Sequence, residues 1–378
     1  SSECRRVLIV CGDTPLLWAK DLKQLVDVLD QNPNCPISLL TCEVPDPKGY
    51  GRILRDDKGD ILEIREDKDL KSPQERSVRE VNPAVYCAEL QFLSKAIERL
   101  TPNNAQGEFY LTDVVAQASA AGGAIGISAD AQSLAGINDR AQLADAEDTM
   151  YRRIADNHRR MGVTIRAGAL IECGVSIGHD ATIETGVVIR GKCRIEDGAR
   201  IDVGSVIVDS TIGAGAFVKP YSVITSSVVG ARAQIGPFAH LRPESLIGEE
   251  AHIGNFVETK KTQMHPRSKA NHLAYLGDGE VGEGANIGAG TIFCNYDGFN
   301  KNKTTIGKGA FIGSDSQLVA PVVVGDNAYV GTGSTITKDV PADALAIGRA
   351  RQENKEGYAV RIRSRFAALK AAKAAEKK

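Results

Sequence analysis

One histidine and three basic side chains in the second half of this sequence have the chemistry for proton transfer beside an anion. His272 lies between Lys260 and Lys301 along the chain, and Arg242 precedes them. An imidazole with an ordinary pKa of about 6.5 can accept a proton at neutral pH, and arginine and lysine together suit a phosphate dianion. A lone histidine in a loop is more often solvated than catalytic, but three cations beside it favour a functional site. The same region contains Glu258, Tyr275, Asn286, Asn295 and Tyr296.

A repeat of six residues predicts the elements that position these side chains. An aliphatic residue returns at every sixth position from Ile165 to Ile336, with one-residue slips and two gaps. A period of six does not match a helical turn, but it suits short strands joined by tight turns. Three such hexads make one triangular coil of a parallel β-helix, so the series of about 25 hexads predicts about eight coils and roughly 40 Å of prism.

The repeat lapses at residues 259–274 and 295–304, which we interpret as two insertions. Insertions in a solenoid emerge on its flank, where function is commonly added. The polar residues named above lie in or beside these two stretches. A narrow prism also gains stability by packing against other prisms, so we expect a homo-oligomer.

The first 138 residues have a different pattern. Arg6–Cys11 is a continuous apolar run typical of a buried strand, and it ends in Gly12-Asp13, while helical and strand patterns alternate afterwards. No glycine-rich loop of the kind that an α/β nucleotide site requires precedes this strand in the sequence. We therefore predict a partial α/β domain at 1–138, a connecting helix at 139–162, a β-helix at 163–345 and a tail at 346–378.

Composition predicts the setting of the protein. The net charge of −2 gives no reason to propose nucleic acid as a partner, and no apolar run is long enough to span a membrane. The eight cysteines form no C-x-x-C pair and have no histidine at zinc-finger spacing, which is typical of reduced thiols. The N-terminus shows no signal-peptide cleavage site, so we expect a cytoplasmic protein.

Four motifs occur in order on the hexad frame. They are Gly254-Asn-Phe-Val-Glu-Thr-Lys-Lys261, Asn271-His-Leu-Ala-Tyr-Leu-Gly-Asp278, Asn286-Ile-Gly-Ala-Gly-Thr291 and Cys294-Asn-Tyr-Asp-Gly298. They closely resemble the acetyltransferase half of the bifunctional N-acetylglucosamine-1-phosphate uridylyltransferase / glucosamine-1-phosphate acetyltransferase family. The resemblance covers nearly the whole chain. It implies an α/β nucleotidyltransferase-like (Rossmann-like) domain, partial here, followed by a left-handed parallel β-helix of hexapeptide repeats.

The resemblance also implies roles in acetyl transfer. His272 would take a proton from the 2-amino group of glucosamine 1-phosphate as it attacks the thioester of acetyl-CoA. Glu258 would lie near this site and could orient the imidazole, and the backbone N–H of Ala289 would donate to the developing oxyanion. Arg242, Lys260 and Lys301 would hold the sugar phosphate. The hydroxyl contacts would come from Tyr275, Asn286 and Asn295, with Tyr296 beside them, and the acetyl-CoA contacts from Ala289, Ser314, Thr332 and Arg349. The family usually has alanine where this chain has Thr332.

In the first domain the resemblance implies a uridylyltransferase site. Asp13 and Asn138 would hold Mg²⁺ against the phosphates, which fits the preference of this ion for a few hard oxygen ligands. Gly51, Glu66, Asn82 and Asn138 would contact UDP-N-acetylglucosamine. The family's loop that cradles UTP should precede Asp13, and the sequence does not contain it. We therefore expect acetyl transfer from the chain as it stands, but little uridylyl transfer from UTP.

The resemblance implies a homotrimer with shared acetyl-transfer sites, in a pathway that supplies UDP-N-acetylglucosamine to bacterial peptidoglycan and lipopolysaccharide. Three alternatives stay open at this point. One is a hexapeptide acyltransferase for another sugar nucleotide, which would not need Lys260 and Lys301. Another is a zinc hydratase, which would need three histidines from adjacent coils. The last is a non-catalytic trimeric scaffold, in which His272 would have no role.

Overall fold

The computed structural model describes residues 4–375, which divide into two compact units between Arg152 and Arg153. The first unit contains one seven-stranded sheet with helices on both faces. Its strands follow the order β1-β6-β2-β5-β3-β4, and β7 pairs with β2. The strands are β1 (Arg6–Ile9), β2 (Ile37–Glu43), β3 (Gly51–Arg55), β4 (Ile61–Arg65), β5 (Glu80–Asn82), β6 (Tyr86–Glu89) and β7 (Ala124–Ser128). The helices are α1 (Ala19–Gln31), α2 (Pro73–Ser77), α3 (Leu90–Ile97) and α4 (Asp113–Ala121).

The apolar run in β2 is explained by the burial of this strand on both faces of the sheet. Its residues from Ile37 to Cys42 are buried because hydrophobic clusters cover both faces of the sheet. Leu25 and Leu29 of α1 belong to the cluster on one face, and the helix α4 contributes to the cluster on the other. A strand that is buried on both sides has no reason to alternate polar and apolar residues. In the described part of this unit β2 and β7 form the one parallel pair, since the other strand pairs are antiparallel.

The second unit is a left-handed β-helix, in which three parallel sheets enclose an aliphatic core. The first face has eleven strands: β8 (Thr164–Ile165), β11 (Thr182–Ile183), β14 (Arg200–Ile201), β17 (Phe217–Val218), β20 (Gln234–Ile235), β23 (His252–Asn255), β26 (Lys269–His272), β29 (Asn286–Ile287), β32 (Phe311–Ile312), β35 (Tyr329–Val330) and β37 (Leu345–Ala346). The second face has ten: β9 (Leu170–Ile171), β12 (Val188–Arg190), β15 (Val206–Val208), β18 (Val223–Thr225), β21 (His240–Leu241), β24 (Glu258–Lys260), β27 (Tyr275–Gly277), β30 (Ile292–Cys294), β33 (Gln317–Val319) and β36 (Thr335–Ile336). The third face has nine: β10 (Ser176–Ile177), β13 (Arg194–Ile195), β16 (Thr211–Ile212), β19 (Val228–Val229), β22 (Leu246–Ile247), β25 (Gln263–Met264), β28 (Gly279–Val281), β31 (Thr304–Ile306) and β34 (Val322–Val324).

Two further helices complete the described residues. Helix α5 (Arg140–Arg160) contains the boundary between the two units, and helix α6 (Tyr358–Ala375) follows the last strand. Ala155 on α5 belongs to the core of the prism, and Ile154 packs against it. The prism therefore begins against a helix rather than with an open edge. No helix between residues 4 and 375 combines the length and the apolar character needed to cross a bilayer.

The prism has about ten turns, so the prediction of eight was too low. The predicted insertion at 259–274 is wrong, because these residues form the end of β24 and all of β25 and β26. Their inward positions are occupied by Thr259, Met264 and Ala270, all at most 1% exposed. The hydroxyl of Thr259 donates to Ser245 Oγ at 2.8 Å, so a polar residue is satisfied inside the core and the aliphatic repeat is hidden. The second predicted insertion is a loop, residues 295–303, between β30 and β31.

Strand β19 offers a test of the inward and outward positions. Val229 is 1% exposed in the core, whereas its neighbour Val228 is 46% exposed on the third face. Val229→Ala should lower the free energy of unfolding by about 2 kcal/mol, because it leaves a cavity that the stacked turns cannot close. Val228→Ala, the matched control, should change it by less than about 0.5 kcal/mol. Urea unfolding of the full chain, followed by circular dichroism, measures both, and equal effects would contradict the assignment of β19.

Candidate active site

One corner of the prism collects most of the residues predicted to bind the thioester substrate. This site corner joins the first face to the second, and successive turns place Asn255, His272, Ala289, Ser314 and Thr332 at its equivalent positions. The rungs are linked by backbone hydrogen bonds, from Leu273 N to Asn255 O at 3.0 Å, from Asp315 N to Ala289 O at 2.7 Å and from Gly333 N to Ser314 O at 2.8 Å. Since adjacent rungs lie about 4.8 Å apart, these side chains form a continuous column.

His272 is the last residue of β26 and is exposed at the site corner. Its Nδ1 lies 2.8 Å from the Oδ1 of Asn255, the last residue of β23, and the two residues are paired in register. Glu258, which the family resemblance placed near this site as a residue that could orient the imidazole, accepts a hydrogen bond from Arg242 Nη1 at 2.7 Å. Asn255 was not predicted to belong to the site, although it occurs in the first of the four motifs. The signal that could have found it is its distance of one 17-residue turn from His272.

Below His272 the site corner is built from small residues. A Cβ at Gly288 would lie 2.6 Å from the backbone nitrogen of Ser314 on the next turn, so this position requires glycine. The N–H groups of Gly290 and Thr291 donate to carbonyls of the prism, at 2.9 and 3.3 Å. In the described part of the chain the N–H of Ala289 has no such acceptor, so it is available to a bound oxyanion. Arg349 approaches the same corner, since a Cβ at Gly333 would lie 3.9 Å from its Cδ.

The three basic residues lie together beside the second face and form a cation cluster of Arg242, Lys260 and Lys301. The neighbouring ammonium of Lys301, with a smaller effect from Arg242, lowers the pKa of Lys260. Positive groups that disfavour one another's charge in this way create a local potential that attracts an anion. The pairing of Arg242 with Glu258 leaves Lys260 and Lys301 as the less compensated members of the cluster.

Tyr275 and Asn295 lie next to each other on the same side of the prism. A Cβ at Gly277 would lie 2.5 Å from the Tyr275 hydroxyl and 2.7 Å from Asn295 Nδ2, so both polar groups crowd over this glycine. Asn295 donates to Asp278 Oδ2 at 2.5 Å. No role was predicted for Asp278, whose carboxylate anchors the start of the loop 295–303. Tyr296, 61% exposed, follows in this loop and donates to the carbonyl of Gly298 at 2.6 Å.

Asn286 does not join these residues, because it lies on the first face. Its neighbours in register are Lys269 of β26 and Phe311 of β32. It lines an open groove of about 770 Å³ together with His252, Arg232 and Arg267. Within one chain, therefore, Asn286 and the cation cluster belong to different faces of the prism.

In the first unit the predicted contacts to the sugar nucleotide lie together. Gly51 pairs with Asn82 across β3 and β5, and a Cβ at Gly51 would lie 3.3 Å from the carboxylate of Glu66. Burial raises the pKa of Glu66, whose Oε1 accepts a hydrogen bond from Thr112 at 3.0 Å. Asn82 donates to the hydroxyl of Tyr86 at 2.7 Å. Thr112 and Tyr86 hold these two side chains, and neither residue was predicted from the sequence to belong to the site.

Asp13 and Asn138, the predicted magnesium ligands, come from segments that are hydrogen-bonded to each other. Ile137 donates its N–H to the carbonyl of Asp13 at 2.9 Å, and a Cβ at Gly136 would lie 3.4 Å from Asp13 Oδ2. Among residues 4–375 no group of three or more His, Cys, Asp or Glu side chains could hold a metal ion. The two oxygen donors fit an ion that takes most of its ligands from phosphates and water.

Comparisons with known proteins find two family profiles and several relatives that are similar to this chain. The profile of the GMPPB C-terminal domain matches residues 162–276, and that of the bacterial transferase hexapeptide (six repeats) matches residues 303–338. A protein of Sorangium cellulosum (strain So ce56), described as "Bifunctional protein GlmU", is 62% identical over 361 residues, which are 95% of this chain and 76% of the relative. A protein of Anaeromyxobacter sp. (strain Fw109-5) with the same description is 49% identical, over 98% of this chain and 75% of its own length. The solved structure of LpxA from Acinetobacter baumannii aligns with 49% of this chain and 71% of its own, at 20% identity and a TM-score of 0.31.

The cation cluster makes a prediction about the charge of Lys260. Lys301→Gln removes the adjacent ammonium, so the pKa of Lys260 should rise toward its ordinary value and the side chain should stay protonated to higher pH. NMR titration of the protein with ¹³C-methylated lysines measures this pKa, with a Lys260→Arg variant to assign the signal. Lys303→Gln is the control, because Lys303 pairs with Glu280 at 2.6 Å on the third face. An unchanged Lys260 titration in Lys301→Gln would contradict the cluster.

Proposed function

Because this chain belongs to the bifunctional GlmU family, we propose that His272 is the general base of its acetyl-transfer reaction. The chain is a transferase of the acetyltransferase and uridylyltransferase class. Acetyl transfer moves the acetyl group of acetyl-CoA to the amino group of glucosamine 1-phosphate, and uridylyl transfer from UTP gives UDP-N-acetylglucosamine and pyrophosphate. An identity of 62% over most of both chains favours this function over a scaffold or an acyltransferase for another sugar nucleotide.

The observation that carries the proposal is the stacking of His272 directly above Ala289 at the site corner. The sugar amine attacks the carbonyl carbon of the thioester, and Nε2 of His272 accepts the proton that the amine loses. The N–H of Ala289 donates to the oxyanion of the tetrahedral intermediate. When the intermediate collapses, the C–S bond breaks, and CoA leaves as its thiol with the proton that Nε2 of His272 had accepted, which restores the neutral imidazole. General base catalysis of this kind contributes a factor of about 10² to 10⁴ in rate.

The cation cluster is proposed to hold the phosphate of the acceptor sugar. Arginine offers a planar fork and lysine a compact charge, and a dianion uses both. The lowered pKa of Lys260 supports this role, because a bound phosphate would relieve the repulsion among the three cations. Glu258, Tyr275, Asn295 and Tyr296 lie on the same side of the prism and are the proposed contacts to the sugar hydroxyls.

Acetyl-CoA is proposed to lie along the lower part of the site corner. Ala289, Ser314 and Thr332 follow one another on successive rungs, and their small side chains leave room for an extended thioester arm. Arg349 lies beside the last of these rungs, where its charge suits the phosphates at the nucleotide end of CoA. The Cβ branch and hydroxyl of Thr332 narrow this track by comparison with alanine.

A homotrimer would complete the acetyl-transfer site. Asn286 lies on the first face and the cation cluster beside the second, so a neighbouring copy must bring its first face to the second face of this one. Such an interface joins unlike surfaces, and it closes into a ring when every copy makes the same contact. The triangular cross-section of the prism suits a ring of three.

In the first unit we propose that Asp13 and Asn138 hold Mg²⁺. The ion would neutralise the charge of the nucleotide phosphates during uridylyl transfer. Asp13 would supply a carboxylate oxygen and Asn138 its amide oxygen, while Gly51, Glu66 and Asn82 bind the sugar of UDP-N-acetylglucosamine. The use of acetyl-CoA and UTP, together with eight unpaired cysteines, supports a cytoplasmic location.

His272→Ala should lower kcat for acetyl transfer at least about 10²-fold, because it removes the proton acceptor. The assay follows release of the CoA thiol with glucosamine 1-phosphate as acceptor, and light scattering checks that the oligomer stays intact. His179→Ala, which removes an exposed imidazole elsewhere on the prism, is the control and should retain activity. A His272→Ala protein with near-normal kcat would refute the assignment of the base.

Shared sites would allow two inactive chains to complement each other. Chains with His272→Ala and chains with Asn286→Ala, co-expressed in equal amounts, should form mixed trimers in which about a quarter of the sites carry neither substitution. Acetyl transfer should therefore recover to roughly a quarter of the unmodified activity per site. Mixing the two purified homotrimers without exchange is the control. If the mixed trimers are no more active than the parents, the site lies within a single chain.

A further inference from the structure

The imidazole of His272 has a specific partner on the rung above it. Its Nδ1 lies 2.8 Å from Asn255 Oδ1, and the two residues are aligned by the parallel pairing of β23 and β26. The main chain makes a second link, because Leu273 donates its N–H to the carbonyl of Asn255 at 3.0 Å. Asn255 is therefore tied to the 272–273 segment through both its side chain and its backbone.

The backbone after Asn255 is also held in place. Phe256 has a φ of 57°, an uncommon conformation for a bulky residue, and its ring stacks on Phe238 with centroids 5.6 Å apart. Its N–H donates to the carbonyl of Phe238 at 3.1 Å. These contacts fix the end of β23 and so fix the position from which the Asn255 amide reaches the imidazole.

An amide oxygen only accepts hydrogen bonds, so the contact requires a proton on Nδ1 of His272. In the neutral imidazole the lone pair is then on Nε2. The two ring nitrogens point in divergent directions, so Nε2 is turned away from Asn255. Asn255 and Ala289 lie on opposite sides of His272 along the site corner.

The chemical type of the partner matters as much as its position. A carboxylate at this distance would stabilise the imidazolium and keep the base protonated, whereas an amide orients the ring without adding charge. The titratable and charged groups on the neighbouring strands are Lys269 on β26 itself, His252 on β23, Glu258 and Lys260 on β24, and Tyr275 on β27, and Glu258 is paired with Arg242. Of these, the carboxylate of Glu258 is already compensated by its arginine.

We infer that Asn255 is a positioning residue for the acetyl transfer proposed above, which holds His272 as the Nδ1-protonated tautomer with Nε2 as the basic nitrogen. The inference rests on the proposed role of His272 as the base. Asn255 touches no reacting atom and acts through the imidazole, so its substitution should change kcat and the pH profile rather than the binding of either substrate.

Two substitutions in the full chain test this role. Asn255→Ala removes the acceptor, and kcat should fall about tenfold while KM for both substrates stays within about twofold. Asn255→Asp keeps an acceptor but adds a negative charge, which stabilises the protonated imidazolium over the free base. The acid limb of kcat/KM should then move to higher pH by about one unit, with the plateau at high pH largely retained. Asn327→Asp is the matched control, since it makes the same change at an exposed turn on a different corner and should alter neither quantity.

The outcomes separate this inference from the proposed function. If His272→Ala keeps its activity, the general base is wrong and the inference falls with it. If His272→Ala is inactive but Asn255→Ala has the unmodified kcat, or Asn255→Asp leaves the acid limb in place, the inference alone is overturned. Should Asn255→Ala fail to assemble, the pH profile of Asn255→Asp decides the question.

Discussion

The fixed spacing of the parallel ladder is the constraint on which the second unit depends. Each turn is hydrogen-bonded to the next, and adjacent turns lie about 4.8 Å apart. Residues that recur at the same position of the repeat are therefore stacked, whatever their chemical type. This is how His272 comes to lie between Asn255 and Ala289, with Ser314 and Thr332 further along the same corner. The inward aliphatic residues supply the burial that holds the rungs together, and the outward positions of the same short strands are free to carry chemistry.

Much of this arrangement could be predicted from the sequence, because six-residue spacing of isoleucine and valine has few structural interpretations. The prediction failed where the core changes its chemistry. Thr259 occupies an inward position, and its hydroxyl donates a hydrogen bond to Ser245. The rung is regular in the structure, but in the sequence a polar residue interrupts the aliphatic repeat there. A buried hydrogen bond between two polar side chains cannot be detected from the spacing of aliphatic residues alone.

The candidate site could also be predicted only in part from the sequence. Residue type and motif identified His272 and the cation cluster, whose members retain their character in any fold. The face of the prism on which each of these residues lies could not be predicted from residue type and motif. Asn286 occurs in the same run of motifs as Lys260 and Tyr275, yet it belongs to another face, because successive strands of one turn form different faces of the prism. The partner of the imidazole was missed for a similar reason, since it lies a full turn away.

The loop 295–303 leaves the prism without disturbing the rungs on either side of it. Gly279 pairs with Thr304, and Cys294 pairs with Val319. The strand pairing of both sheets therefore continues without interruption on either side of the loop. Ala289 and Ser314, the rungs that flank it at the site corner, remain neighbours although they are 25 residues apart. The fold thereby separates two structural variables: the loop beside the proposed acceptor site can change in length and composition, while the rungs proposed to carry the acyl donor keep the spacing of the scaffold.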